Sequence, residues 1–158
     1  MTIKVALAGA GAFGIKHLDG IKNIADVEVV SLVSRDLAKT REVADKYGIQ
    51  HVTTDLADSL AIKEVDAVIL CTPTQMHAAQ TKACLEAGKH VQVEIPLCDV
   101  LKEGEEVLAL QKQTGLVAMC GHTRRFNPSH QWVRRKIVAG EFNIQQMDVQ
   151  TYFFRRTN

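Results

Sequence analysis

Apolar residues fall along this chain in short runs, separated by longer stretches in which they recur every three or four positions. Five runs are rich in apolar and β-branched residues: Ile3–Ala8, Val27–Val33, Ala67–Cys71, His90–Glu94 and Leu116–Gly121. They read as strands, and the most continuous read as strands covered on both faces. The stretches between them predict helices over Ala12–Ile24, Leu37–Tyr47, Thr74–Ala87 and Val100–Thr114. Gly48, Gly88 and Gly115 stand where left-handed glycines close helices. Asp36 and Thr74 are candidate N-caps.

Strands alternating with helices predict an α/β fold, a doubly wound parallel sheet with right-handed crossovers. Ligands then bind at the carboxyl ends of the strands. Four segments leave those ends: Gly9–Gly14, Ser34–Arg35, Cys71–His77 and Glu94–Leu97. The fold is expected to gather them around one crevice.

The pattern changes after Gly121, so residues 1–121 are read as a Rossmann domain and 122–158 as a linker helix and the start of a second domain. Asn127 as N-cap and Pro128 at the first helical position predict a helix to Ala139, ended by Gly140. Residues 143–158 then alternate like a strand, with Met147, Val149, Thr151 and Phe153 on one face. A strand with no neighbour is expected to belong to an incomplete α+β domain, completed by further chain or another copy. Its apolar face predicts self-association.

Length and composition fit one domain with a real core: 158 residues, 46% hydrophobic and 23% charged. A net charge of +1 predicts no nucleic-acid or membrane partner. The apolar start is read as a first strand and turn rather than a leader, because regularly spaced glycines interrupt it. Cys71, Cys84, Cys98 and Cys120 form no C-x-x-C and have no zinc-ligand spacing with histidine. No metal is predicted, and a reduced, cytoplasmic setting is expected.

The candidate chemistry begins at "GAGAFG". Gly9, Gly11 and Gly14 have the G-x-G-x-x-G spacing between a strand and a helix. Gly9 permits the tight turn, Gly11 lets backbone approach a pyrophosphate, and Gly14 lets helix and strand pack closely. Ala12, Phe13 and Ile15 complete the turn whose N–H groups face phosphate. The other reading is a tight structural turn.

The second strand ends in Ser34 and Arg35, where an NAD site usually carries a carboxylate for the ribose 2′-hydroxyl. A small hydroxyl and a cation suit a 2′-phosphate, so NADP is expected over NAD, which would bind more weakly. Lys39 would add a second positive charge. Alternatively, Ser34 is neutral filler and Arg35 a solvated cation.

Cys71, Thr72 and Pro73 would line the nicotinamide side, with His77 either at the site or packed beneath it. Glu94 ends an apolar run, where a carboxylate has a partner or a task. It is a catalytic candidate, a cofactor contact together with Ile95, or a structural acceptor. Arg124 and Arg125 could anchor carboxylates, or they are surface charges or partners of acidic groups elsewhere.

Taken together, "GAGAFG", "CTPTQMHA", "EIP" and "GHTRRFNP" resemble the N-terminal half of the Gfo/Idh/MocA oxidoreductases. The resemblance implies an NADP-dependent dehydrogenase whose catalytic histidine lies in a second domain, beyond Asn158. It further implies pairing through that domain into a homo-oligomer, and an inactive chain when alone. The family usually has a lysine where this chain has Ile95, which counts against a sugar. A branch with isoleucine there oxidises the cyclic hemiacetal of a dicarboxylated semialdehyde to a pyrone dicarboxylate in aromatic catabolism. A dicarboxylate substrate suits Arg124 and Arg125. Two other readings stay open: a stand-alone NADP-binding sensor without turnover, and a family dehydrogenase for another substrate.

Overall fold

The computed structural model describes residues 1–150 and 152. Six strands form one parallel sheet: β1 (Ile3–Ala8), β2 (Val27–Val33), β3 (His51–Thr53), β4 (Ala67–Leu70), β5 (His90–Val93) and β6 (Ala118–Cys120). Their order is β3-β2-β1-β4-β5-β6. The order reverses direction between β1 and β4, so a crevice opens beyond the carboxyl ends there. Register is regular from Val5 opposite Ala67 to Ala8 opposite Leu70.

Helices α1 (Ala12–Ile21), α2 (Leu37–Tyr47), α3 (Leu56–Leu60), α4 (Thr74–Glu86) and α5 (Leu101–Thr114) connect the strands. Successive strand residues point to opposite faces, which divides the core in two. Ala6, Ala8, Val33, Val68 and Leu70 pack with Cys84 and Leu85 of α4. Leu7 and Leu32 pack with Leu18 of α1 and Ala44 of α2. Both faces are thus covered, which is why these strands read as continuous apolar runs.

Local signals set most helix ends. The Asp36 side chain accepts from the Lys39 N–H and caps α2, and Gly48 closes it at φ 72°. Gly88 and Gly115 are left-handed at φ 75° and 68°. Two expectations need correction. Thr74 does not cap α4: Pro73 holds the cap position and Thr74 is the first helical residue. Helix α1 ends at Ile21 rather than Ile24, where the Asn23 side chain donates to the Asp19 carbonyl at 3.1 Å.

The chain divides into two compact units, Met1–Gly121 and the part from His122 on. The second contains a 3₁₀ turn (Thr123–Phe126) and α6 (Pro128–Val138), capped by the Asn127 side chain on the Ser129 N–H. Trp132 meets Phe142 edge to face, with centroids 5.7 Å apart. Residues 143–150 form no strand, and Met147 and Val149 are exposed. A lone strand without a neighbour has no hydrogen-bonding ladder, so alternation alone does not produce one. Thr151 and Phe153 lie outside the described residues. No helix among the described residues is long and apolar enough to cross a membrane.

Candidate functional site

The turn after β1 is built by contact between backbones. Gly9 is left-handed at φ 107°, and a Cβ there would collide with the Cys71 carbonyl oxygen. A Cβ on Gly14 would collide with the Gly9 carbonyl oxygen. A methyl group on Gly11 would meet nothing within 4 Å, so its side of the turn is open to a ligand. The first-turn N–H groups of Ala12, Phe13 and Gly14 have no partner within the helix and carry its positive end. The Ile15 N–H, by contrast, donates to the Gly11 carbonyl at 3.0 Å. The exposed Phe13 ring lies 5.1 Å from the Lys16 ammonium.

A crevice of about 580 Å³ runs from this turn across the strand ends. Gly9, Gly11, Ser34, Arg35, Cys71, Thr72 and Pro73 line it, so three of the four strand-end segments converge. The fourth, Glu94–Leu97, does not line it. The opposite wall comes from Thr54–Ala57 and Leu60, and from Met76 and Gln80 of α4. The former residues follow β3 and belong to or precede α3, elements too short for periodicity to reveal.

At the end of β2, Ser34 and Arg35 face the crevice while the neighbouring acid is engaged elsewhere. Asp36 caps α2 and pairs with Lys39, Nζ to Oδ2 3.3 Å. Lys39 lies outside the crevice lining, with its ammonium on the exposed Asp36 carboxylate. The Lys39 N–H bond holds the Asp36 carboxyl below the usual carboxylate range. Asp55 lines the crevice, and its carboxylate accepts from the Ala57 N–H at 2.9 Å, capping α3.

Across the switch point, Thr72 Oγ1 donates to Gln80 Oε1 at 2.5 Å. His77 is not on the crevice wall. It is fully buried, with Nδ1 2.7 Å from the Pro96 carbonyl oxygen and Nε2 2.8 Å from the Thr72 carbonyl oxygen. Its role is to join two strand-end loops, which corrects the expectation that it meets the cofactor. Glu94 has a partner that sequence reading missed: His17 on α1, with Nε2 2.8 Å from Oε1. Ile95 is half exposed.

Cys71 lies beside that pair, and a nitrogen, a sulfur and an oxygen of His17, Cys71 and Glu94 lie within 4.8 Å of one another. Burial first, and the Glu94 charge second, push the Cys71 thiol up to about 12. At neutral pH the group is therefore a His–Glu hydrogen bond beside a protonated thiol. The prediction of no metal rested on spacing along the chain, which does not register a grouping made by the fold.

In the second unit, Arg124 and Arg125 lie on the 3₁₀ turn. With Phe126, His130, Arg134 and Arg135 they line a groove of about 740 Å³. Among the described residues no carboxylate lines that groove. Arg134 and Arg135 sit on α6 and were not singled out from the sequence.

Comparison with known proteins agrees with this geometry. Residues 3–122 match the family described as "Oxidoreductase family, NAD-binding Rossmann fold", the Gfo/Idh/MocA family. Residues 128–158 match "Bacterial oxidoreductases, C-terminal". The chain is 65% identical over 99% of its length to 4-carboxy-2-hydroxymuconate-6-semialdehyde dehydrogenase of Sphingobium sp. strain SYK-6, covering 50% of that protein. It is 31% identical over 93% of its length to inositol 2-dehydrogenase of Rhizobium meliloti, covering 44% of it. Among solved structures it is similar to scyllo-inositol dehydrogenase of Lactobacillus casei with bound NAD(H) and scyllo-inositol. There the TM-score is 0.85 at 26% identity, over 89% of this chain and 42% of that one. The chain thus spans about half the length of the relatives it matches.

Proposed function

We propose that this chain, which belongs to the Gfo/Idh/MocA oxidoreductase family, is the cofactor-binding part of an NADP-dependent dehydrogenase for a dicarboxylated semialdehyde. The observation that carries the cofactor choice is at the end of β2. Ser34 and Arg35 line the crevice, whereas Asp36 is committed to the α2 cap and to Lys39. A guanidinium attracts a 2′-phosphate that a carboxylate would repel.

The residues divide the binding task. The free N–H groups of Ala12, Phe13 and Gly14 hold the pyrophosphate. Ser34 and Arg35 hold the adenosine phosphate, and Cys71, Thr72 and Pro73 wall the nicotinamide side. The nicotinamide, when bound, supplies the hydride acceptor. The similarity to the Sphingobium enzyme supports 4-carboxy-2-hydroxymuconate-6-semialdehyde as substrate. It would be oxidised as its cyclic hemiacetal to 2-pyrone-4,6-dicarboxylate in protocatechuate 4,5-cleavage. Arg124 and Arg125, in a groove lined by no carboxylate among the described residues, suit a dianion. Glu94 is held by His17, so the base that takes the hydroxyl proton is assigned to the half of the enzyme this chain does not span.

The test is a side-by-side titration with NADPH and NADH, followed by nicotinamide fluorescence. Tighter binding of NADPH is expected. Equal binding, or tighter NADH, overturns the cofactor assignment.

A further inference from the structure

We propose that His17 is a positioning residue for the nicotinamide end of the cofactor, acting through Glu94. The inference rests on the reading of the crevice as a dinucleotide site. In a sheet of this order the β1 turn holds the pyrophosphate. The ends of β4 and β5 lie across the switch point from the adenosine half. The spacing between α1 and the loops after β4 and β5 therefore decides where a nicotinamide ring rests.

The structure contains two histidine ties that set this spacing. His17 projects from α1, one turn beyond Gly14, and reaches Glu94 just after β5 at 2.8 Å. His77 places its ring nitrogens against the Pro96 and Thr72 carbonyl oxygens. The Glu94–Pro96 segment is thus joined to α1 at its start and to the Cys71–Pro73 loop at its end.

The Glu94 carboxylate has little freedom. Its side chain is 14% exposed, and Gln92 Nε2 donates to the same oxygen, Oε1, at 3.4 Å. Gly121 closes the remaining side: a Cβ there would stand 2.9 Å from Glu94 Oε1 and 2.7 Å from Gln92 Nε2. Among the described residues His17 makes the shortest side-chain contact to Glu94, at 2.8 Å against 3.4 Å for Gln92. Without His17, α1 loses this tie to the segment that His77 joins to the nicotinamide wall, while Ser34 and Arg35 keep their places after β2. The expected consequence is selective: the nicotinamide half of the site loosens and the adenosine half does not.

The test compares ligands with and without the nicotinamide. Dissociation constants for NADPH and 2′,5′-ADP, and for NADH and ADP-ribose, are measured on the wild-type chain, His17→Ala and His17→Gln. His17→Ala is expected to weaken the nicotinamide-bearing member of the bound pair about tenfold and to leave its truncated partner unchanged. His17→Gln, which returns a donor near the Nε2 position, is expected to restore most of the loss. Equal losses for both members of a pair, or no loss for either, overturn the inference. If only NADH and ADP-ribose bind, the NADP assignment falls, and the His17 split within that pair still decides this inference. If no ligand binds the wild-type chain, the inference falls with the site.

Discussion

Gly14 and Gly9 meet backbone against backbone, with no room at Gly14 for a methyl group beside the Gly9 carbonyl oxygen. The contact seats α1 on the β1 turn and aims its free N–H groups into the crevice. The oxygen belongs to the backbone, so it cannot swing aside as a long side chain would. Gly14→Ala should therefore destabilise the fold by about 1–3 kcal/mol, the usual range for overpacking, and should weaken dinucleotide binding. Urea unfolding and an NADPH titration check both. A wild-type midpoint and affinity would show that helix and turn move apart freely.

Arg35 is the cation offered to a 2′-phosphate. A hydrogen bond to a charged group contributes about 1.5–3 kcal/mol. Arg35→Ala should thus weaken NADPH roughly tenfold to a hundredfold and leave NADH nearly unchanged. Ser34→Asp should invert the preference, by repelling the phosphate and accepting from a ribose hydroxyl. An NADH affinity that falls as far as that of NADPH would assign Arg35 to general packing.

Burial pushes the thiols of Cys71 and Cys84 up to about 12, against an ordinary value of 9. Between those values the folded chain holds protons that the unfolded chain has released, so stability falls as pH rises through this window. The urea midpoint should drop from pH 8 to pH 10, and the drop should shrink in Cys84→Ser. In the native state at pH 8, iodoacetamide should leave both residues unmodified. Rapid alkylation of Cys71 would contradict its protonated state.

Trp132 is the single tryptophan of the chain and lies on α6 beside the groove residue Gln131. An aromatic dicarboxylate drawn into the groove by Arg124, Arg125, Arg134 and Arg135 should change its emission. The response should weaken with salt, because exposed charges are screened. It should fall in the double variant Arg124→Ala, Arg125→Ala. A monocarboxylate should bind less tightly, and equal affinity for both would argue against recognition of a dianion.

The sequence by itself determined the features that depend on neighbours along the chain. Gly48, Gly88 and Gly115 close helices because only glycine enters the left-handed region without strain, and Asp36 and Asn127 cap because a short side chain reaches an N–H nearby. Continuous runs such as Val27–Val33 announced strands covered on both faces, and the spacing of Gly9, Gly11 and Gly14 announced the phosphate turn. The tertiary structure alone decided the partnerships. His17 and Glu94 stand 77 positions apart and meet because the fold brings the side of α1 to the segment that follows β5. His77 turned inward to two carbonyl oxygens, and Lys39 was taken by Asp36. The wall formed by Thr54–Ala57 comes from elements too short to leave a period. Backbone preference acts over a turn or two of chain, whereas the partner of a polar side chain is set by strand order and helix packing.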